Sequence, residues 1–232
     1  FSTKATGTGL GLASAYGIRV YDAATTAIVT LTRSVVEETR TGIWNSGTLP
    51  LTATDSHVRF NAYGGVQCDT ACSIEWTGGS VTSNATGGAL TAPYGGLWFG
   101  STTATNHLKL RGATVTGNHG TLGNPNIDRN DNSGIVLKGG AGSTFDLGTA
   151  ADPGGNVVRD NVEGANTANL WLNAAGVIVF AVGNTWNANL QGTDGDGHFT
   201  TGVAPCLATP CDVINAAGAN HRVSAGTLRL IE

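Results

Sequence analysis

Acidic and basic side chains that could do acid–base chemistry are few in this sequence, and one loop collects three of them. Charged residues make up only 12% of the chain. Between His119 and Ser133 the sequence carries Asp128, Arg129 and Asp131. Two carboxylates beside a guanidinium could transfer protons to a substrate or hold a calcium ion. The alternative is a solvated turn rich in Asn and Asp, and the sequence favours that interpretation.

A second acidic stretch has the composition of a calcium loop. Residues 192–197 read Gly-Thr-Asp-Gly-Asp-Gly, so Asp194 and Asp196 alternate with glycine. A full EF-hand loop requires a further acidic position and a Glu at its end, and this stretch lacks both. We therefore expect no required cofactor, and calcium is the ion that these side chains would take.

Three tryptophans could bind sugars. Trp44, Trp98 and Trp171 each follow an aliphatic residue in a short apolar run. Because side chains alternate across a strand, one residue of each pair points outward. Outward tryptophans at equivalent places would form an aromatic strip that stacks on sugar rings, whereas inward ones would belong to the core. The sequence leaves both interpretations open.

The four cysteines form two close pairs, Cys68 with Cys72 and Cys206 with Cys211. A zinc site would have to bring together pairs that lie far apart in sequence, so two local disulfides are the better interpretation. Disulfides indicate an oxidising, extracytoplasmic compartment. The chain starts at Phe1 without an initiator Met, which suggests that a leader or a larger N-terminal region has been removed. We expect an extracellular or cell-surface protein.

The charge balance excludes some partners. The net charge is -4 and no run of Lys or Arg occurs, whereas nucleic acids and anionic membranes need clustered positive charge. The longest apolar runs fall far short of the roughly 20 residues that span a bilayer. We therefore expect neither nucleic-acid binding nor membrane insertion. The expected partners are a glycan, another cell-surface component or copies of the chain itself.

An internal repeat must position these residues. Four segments, which begin at Val29, Ile74, Leu108 and Phe145, share apolar residues at i and i+2 and a further aliphatic residue downstream. After each comes a loop and then a second apolar strand. A strand–loop–strand unit that keeps returning predicts a solenoid, because one coil cannot bury its apolar face alone. The long interval between Val29 and Ile74 indicates an extra short coil around residues 57–60.

The repeat also places asparagines at one recurrent turn. Asn84, Asn118 and Asn161 follow the aliphatic residue of three units, and Thr39 stands at that place in the first unit. Asn tolerates left-handed backbone geometry, and its amide can hydrogen-bond to equivalent amides above and below. We predict a structural ladder rather than a catalytic role.

The fold class that these patterns favour is all-β, a right-handed parallel β-helix with a C-terminal cap. A β-sandwich also uses short alternating strands, but it does not predict one unit returning with a variable loop at a fixed place. Residues 1–183 are expected to form the coils, with the N-terminal cap missing. Residues 184–232 are expected to form the last coil and the cap of the same domain.

The repeated units resemble the right-handed parallel β-helix repeat proteins of the pectate-lyase-like superfamily, and among them the poorly characterised bacterial secreted and surface members. The residues that carry the resemblance are Asp-Leu-Gly-Thr at 146–149, Gly-Gly-Asn at 154–156 and Val-Gly-Asn-Thr-Trp at 182–186. The likeness covers about residues 17–190. The superfamily includes lyases, hydrolases, tailspikes, adhesins and scaffolds, so the resemblance implies a fold and leaves the activity open.

The chain departs from the catalytic patterns of that superfamily. Its hydrolases carry paired acidic motifs and a Gly-His-Gly, whereas this chain has no Asp-Asp pair, and His119 follows Asn118. Its lyases need an Arg or Lys base beside calcium-holding acids, for which the 119–133 loop is the candidate. We therefore expect a structural or adhesive extracellular module that binds glycans or assembles into a surface fibre. A polysaccharide lyase or glycoside hydrolase is the alternative.

Overall fold

The computed structural model describes residues 4–6, 16–21, 28–85, 95–120, 134–149, 151–163, 166–173, 179–187 and 211–215. All regular elements in these ranges are β-strands. In chain order they are β1 (Lys4–Thr6), β2 (Tyr16–Val20), β3 (Val29–Thr32), β4 (Val35–Glu37), β5 (Thr41–Asn45), β6 (Leu51–Thr54), β7 (His57–Arg59), β8 (Gly64–Cys68), β9 (Ser73–Thr77), β10 (Ser80–Thr82), β11 (Gly95–Phe99), β12 (His107–Arg111), β13 (Thr114–Thr116), β14 (His119–Gly120), β15 (Ile135–Lys138), β16 (Thr144–Asp146), β17 (Val157–Arg159), β18 (Val162–Glu163), β19 (Asn166–Asn173), β20 (Val179–Phe180) and β21 (Cys211–Asn215).

The strands form three parallel sheets. The first sheet runs β1-β4-β7-β10-β13-β17 and the third runs β3-β6-β9-β12-β16-β20. The second runs β2-β5-β8-β11-β15-β19 and continues through β18 to β14. Each turn of the chain therefore adds one strand to each sheet, and we call such a turn a coil. Parallel strands joined by crossovers wind with a right-handed sense. The fold is a right-handed parallel β-helix, as the repeat predicts.

Within the described residues, six coils each contribute one strand to all three sheets, and a seventh continues the stack. Thr185 bridges Val157 of the first sheet, and β21 pairs in parallel with β19 of the second sheet. The predicted extra coil around residues 57–60 is a full coil that contains β7, β8 and β9. An antiparallel pairing between β18 and β19 interrupts the sixth coil, and the sequence did not predict it.

The core consists of apolar columns, one residue from each coil. In the first sheet, Val58, Val81 and Val115 lie in register and are 0% exposed. Corresponding columns in the other two sheets pass through Ile43 and through Ile74, which are also buried. Each fully buried aliphatic side chain contributes roughly 1.5–3 kcal/mol. Stacking is thus what makes individually short strands stable.

One left-handed residue makes the corner between the first and second sheets. The residue at this corner in successive coils has a φ of +57° (Glu38), +55° (Phe60), +53° (Ser83), +64° (Gly117) and +55° (Asp160). A single residue in this conformation redirects the chain directly after a three-residue strand. Residues with positive φ also form the corner between the third and first sheets, at Arg33, Asp55, Gly78 and Gly112.

A disulfide closes the turn between β8 and β9. It joins Cys68 to Cys72, whose Cα atoms are 6.0 Å apart. Asn45, the register partner of Cys68 one coil below, spans the equivalent turn with its side chain. Its Nδ2 donates to the Leu49 carbonyl at 3.1 Å, and its Oδ1 accepts from the Gly47 N–H at 3.1 Å. A covalent link and an amide therefore hold the same turn in neighbouring coils.

The second predicted pair lies mostly outside the described residues. Cys206 is not among them, and Cys211 is described only as the first residue of β21. The Cys206–Cys211 disulfide stays a prediction, as does the cap that residues 184–232 were expected to form. The described chain contains no helix of the length and apolarity that a membrane crossing requires.

Candidate functional site

An asparagine ladder fills the corner between the first and second sheets. The Nδ2 atoms of Asn61, Asn84 and Asn118 each donate to the Oδ1 of the asparagine in the next coil, at 2.9 Å in every case. The top acceptor of this series is Asn161. All four residues are 0% exposed. Their amides are fully engaged inside the protein, so the geometry assigns them a structural task.

The ladder extends beyond the three asparagines that the sequence singled out. Below Asn61, the Thr39 hydroxyl donates to its Oδ1 at 2.7 Å. Above Asn161, Asn169 accepts at 2.9 Å and donates onward to Asn187 at 2.8 Å. Asn61 lies three residues after Val58, which is the spacing that identified the others. The same spacing is present in the sequence, but the coil of Asn61 is shorter than the other repeat units, so the repeat did not identify it.

Glycine leaves room for the ladder in the second sheet. A Cβ on Gly96 would lie 2.9 Å from Nδ2 of Asn118 and 2.4 Å from the Gly134 carbonyl. In the sixth coil Asn169 takes this place, because it precedes Leu170, the register partner of Ile135. Its side chain becomes a rung there instead of obstructing one.

A second pair of stacked amides occupies the corner between the third and first sheets. Asn156 donates from Nδ2 to Oδ1 of Asn184 at 2.8 Å, and its own Oδ1 accepts from the Ala113 N–H at 3.0 Å. Asn156 ends residues 148–156, which are an insertion between the second and third apolar positions of the fourth repeat unit, Leu147 and Val158. The insertion thus returns the chain to the stack through a buried amide.

Trp44 and Trp98 point away from the core. Their neighbours Ile43 and Leu97 are 0% exposed and occupy the inner face. Gln67 lies between the two tryptophans in register, so they are two coils, or about 10 Å, apart along the stack. The sequence left inward and outward placements open, and the structure decides for outward at both.

The predicted strip does not continue as an open face. Trp171 pairs in register with Val136, which in turn pairs with Trp98. Val136 is on the outer side of its strand but is 0% exposed. The outer face of the second sheet is therefore covered at the fifth coil, and the side chain of Trp171 lies outside the described part of the structure.

Polar groups hold Trp44 in place. Its indole Nε1 donates to Oδ2 of Asp69, and Nε2 of Gln67 donates to Oδ1 of the same carboxylate at 2.8 Å. The Tyr16 ring stacks on the indole with centroids 4.4 Å apart, and the guanidinium of Arg19 lies 4.4 Å from the indole centroid. We call Tyr16, Arg19, Trp44, Gln67 and Asp69 the Trp44 cluster.

A charged cluster covers the outer face of the third sheet. Arg111 Nη2 lies 2.8 Å from Asp146 and 2.9 Å from Asp152, and Lys109 lies 3.5 Å from Asp152. Partial burial opposes a rise in the pKa of Arg111, but hydrogen bonds to both carboxylates outweigh it and raise that pKa. The Arg111 hydrogen bond is the main cause that lowers the pKa of Asp152. Asp152 is thus held ionised, and the cluster fastens the 148–156 insertion to the sheet.

The acidic residues that the sequence proposed for chemistry lie outside the described residues. These are Asp128, Arg129 and Asp131 of the long loop, and Asp194 and Asp196 of the calcium-like stretch. The catalytic and calcium hypotheses built on them stay predictions. Within the described ranges, no three His, Cys, Asp or Glu side chains are grouped closely enough to hold a metal ion.

No protein-family model, curated protein or solved structure matches this chain. The fold assignment therefore depends on the strand register, and any functional assignment depends on the surface clusters described above.

Proposed function

We propose that this chain is an extracellular β-helix module, of the kind found among secreted and surface members of the pectate-lyase-like superfamily, that adheres to carbohydrate. The observation that carries the proposal is the Trp44 cluster. It combines an outward indole with a carboxylate, an amide and a guanidinium within hydrogen-bonding or stacking distance. An aromatic ring beside several hydrogen-bonding groups is a combination that suits a sugar ring.

The chemistry of sugar recognition explains the match. One face of a pyranose exposes C–H groups, which pack on an aromatic ring, while its hydroxyls need hydrogen-bond partners in the plane of the ring. Trp44 and the Tyr16 ring that stacks on it are both partly exposed and together offer the aromatic surface. The carboxylate of Asp69 retains lone pairs after accepting from Trp44 and Gln67, so it can accept further hydroxyl protons.

Preorganisation favours binding by this cluster. The Asp69 hydrogen bond and the Tyr16 ring fix the orientation of Trp44 before any ligand arrives, so binding loses little side-chain entropy. Four of its five residues also project from strands whose inner faces are packed in the core, and Asp69 directly follows β8. Sites on such strands hold their geometry better than sites on loops.

Binding to immobilised polysaccharides tests the proposal. The wild-type chain, Trp44→Ala and the control Thr52→Ala would be compared on a panel of neutral and acidic plant, fungal and bacterial polysaccharides. Thr52 lies on the outer side of the third sheet, away from the cluster. We expect Trp44→Ala to weaken binding about tenfold, which corresponds to about 1.4 kcal/mol, and Thr52→Ala to leave it unchanged. A wild-type chain that bound nothing on the panel would contradict the proposal.

A further inference from the structure

Phe60 is both strained and exposed. It makes the corner between the first and second sheets with φ +55°, and its exposure is 53%. The left-handed conformation costs a residue with a Cβ roughly 1–2 kcal/mol. The exposed ring recovers little of that cost through burial. Other coils place Ser83, Gly117 or Asp160 at this corner, so the fold itself does not require a phenyl ring here.

Phe60 belongs to a series of arginine–aromatic contacts. The Arg59 guanidinium lies 5.6 Å from the Phe60 ring centroid, and that of Arg40 lies 4.0 Å from the Tyr63 ring centroid. In the Trp44 cluster, Arg19 makes the same kind of contact with Trp44 and with Tyr21. Such contacts occur about once in 70–80 residues in proteins generally. Four such contacts lie within the first three coils, which distinguishes the surface around Trp44, Tyr63 and Phe60 from an ordinary protein surface.

These contacts join into one band. Arg40 precedes Thr41, and Tyr63 precedes Gly64, the register partner of Thr41. Thr41 also pairs with Tyr16 of the Trp44 cluster. The Arg40–Tyr63 contact therefore lies between Phe60 and the Trp44 cluster. From Phe60 to Gln67, the register partner of Trp44, the backbone spans at most about 23 Å at 3.3 Å per residue.

We propose that the Trp44 cluster is one end of an extended binding band, and that its ligand is a neutral polysaccharide chain which runs around the corner from Trp44 past Tyr63 to Phe60. The inference rests on the proposed carbohydrate function and adds to it the path and the ligand class. The polysaccharide would cross the stack axis at a large angle instead of running along it.

The direction follows from what the surface leaves open. Along the stack axis, the outer face of the second sheet is covered at the fifth coil, where Val136 is 0% exposed. Around the coil, aromatic side chains follow one another from the Trp44 cluster to the exposed ring of Phe60. Among the described residues, a polymer of several sugar units therefore finds a longer series of aromatic side chains in this direction than along the stack axis.

The ligand class follows from the charges of the band. Among the described residues, the formal charges along the band cancel: Arg19, Arg40 and Arg59 lie with the exposed Glu38, with Asp69 and with the buried Glu37. Arg59 is already paired with Glu37 at 2.7 Å. A polyanion would gain no net attraction here, whereas the hydroxyls of a neutral sugar can use both kinds of group.

The test compares two variants at equivalent corners, Phe60→Gly and Ser83→Gly. Both remove the strain of a non-glycine residue at positive φ, so both should raise the midpoint of thermal unfolding. Binding would be measured by calorimetry to mixed-linkage glucan, mannan and dextran, to their disaccharide units, and to polygalacturonate. We expect Phe60→Gly to weaken binding of the neutral polymer at least fivefold and to leave disaccharide binding unchanged. Ser83→Gly should change binding of neither the polymer nor the disaccharides.

Each contrary result has a distinct meaning. If Phe60→Gly binds the polymer as the wild type does while Trp44→Ala does not, the path is wrong and the carbohydrate function stands. Loss of polymer binding in Trp98→Ala but not in Phe60→Gly would show a ligand along the stack axis. Binding to polygalacturonate alone would overturn the ligand class. A wild-type chain that bound none of these probes would overturn the path, the class and the function that they rest on.

Discussion

Asn84 and Asn118 are joined by two hydrogen bonds that converge on one atom. Both the side-chain Nδ2 and the backbone N–H of Asn84 donate to Oδ1 of Asn118, at 2.9 and 3.1 Å. The same pair of bonds links Asn118 to Asn161. Because the bonds all point in one direction along the stack, each amide polarises the next. The ladder therefore couples neighbouring coils through their polar interior as well as through their apolar columns.

Removing a central rung should be costly. Asn118→Ala would leave two donors of Asn84 without their acceptor inside the protein and would remove the bond from Asn118 Nδ2 to the Val81 carbonyl. An unsatisfied buried donor costs about 1–3 kcal/mol. We expect the free energy of unfolding to fall by about 3 kcal/mol or more in urea titrations. Thr116→Ala, on the outer side of the adjacent strand, is the control and should change it by less than about 1 kcal/mol. If the two substitutions lowered the free energy of unfolding equally, the ladder would not contribute to stability as proposed.

The ladder also shows which part of the fold could be predicted from the sequence. The spacing from an aliphatic residue to Asn was enough to place Asn84, Asn118 and Asn161 at one corner. Asn61 obeys the same spacing, but its coil has no long loop and does not match the longer interval of the other units. Asn169 could not be found in this way, because it enters the ladder from a strand position where lower coils carry glycine.

The surface was less predictable, for physical reasons. Period-two alternation shows that Trp44 and Ile43 face opposite ways, but it does not show which one faces the core. The contact of Arg111 with Asp152 depends on how the 148–156 insertion folds back, and no local pattern encodes that. The strain at Phe60 is likewise a property of the backbone, which the sequence alone does not reveal.

Relief of backbone strain should stabilise the chain at the other recurrent corner. Arg33 has φ +48° at the turn from the third to the first sheet. Arg33→Gly should raise the free energy of unfolding by about 1 kcal/mol, because glycine adopts positive φ without a steric penalty. Thr32→Gly, one residue earlier at the last position of β3, should instead lower it, because glycine there only adds conformational freedom to the unfolded chain. Urea unfolding of both variants checks the contrast, and a destabilised Arg33→Gly would argue against strain at this turn.

The equivalence between the disulfide and the Asn45 turn can be tested by exchange. Cys68→Ala with Cys72→Ala should cost about 2 kcal/mol, since the bridge closes only a short loop. Cys68→Asn with Cys72→Ala should recover part of this loss, because an asparagine there can bridge the turn as Asn45 does one coil below. Thermal unfolding under oxidising conditions would rank the three proteins. If the asparagine variant is no more stable than the double alanine variant, the amide does not substitute for the bridge.

The charged cluster on the third sheet should make stability depend on pH in a defined direction. The pKa of Asp152 is lowered in the folded protein, chiefly by its hydrogen bond to Arg111. A carboxyl with a lowered folded-state pKa stabilises the fold above its unfolded-state pKa of about 3.9, and this contribution is lost as the pH falls through the folded-state value. Asp152→Asn should therefore be less stable than the wild type at pH 7, and the difference should shrink at acidic pH. Because Asp152 is exposed, high salt should also reduce the difference at pH 7. Urea unfolding of the two proteins across pH, with and without salt, measures both effects, and a difference that did not change with pH would exclude the ion pairs as its source.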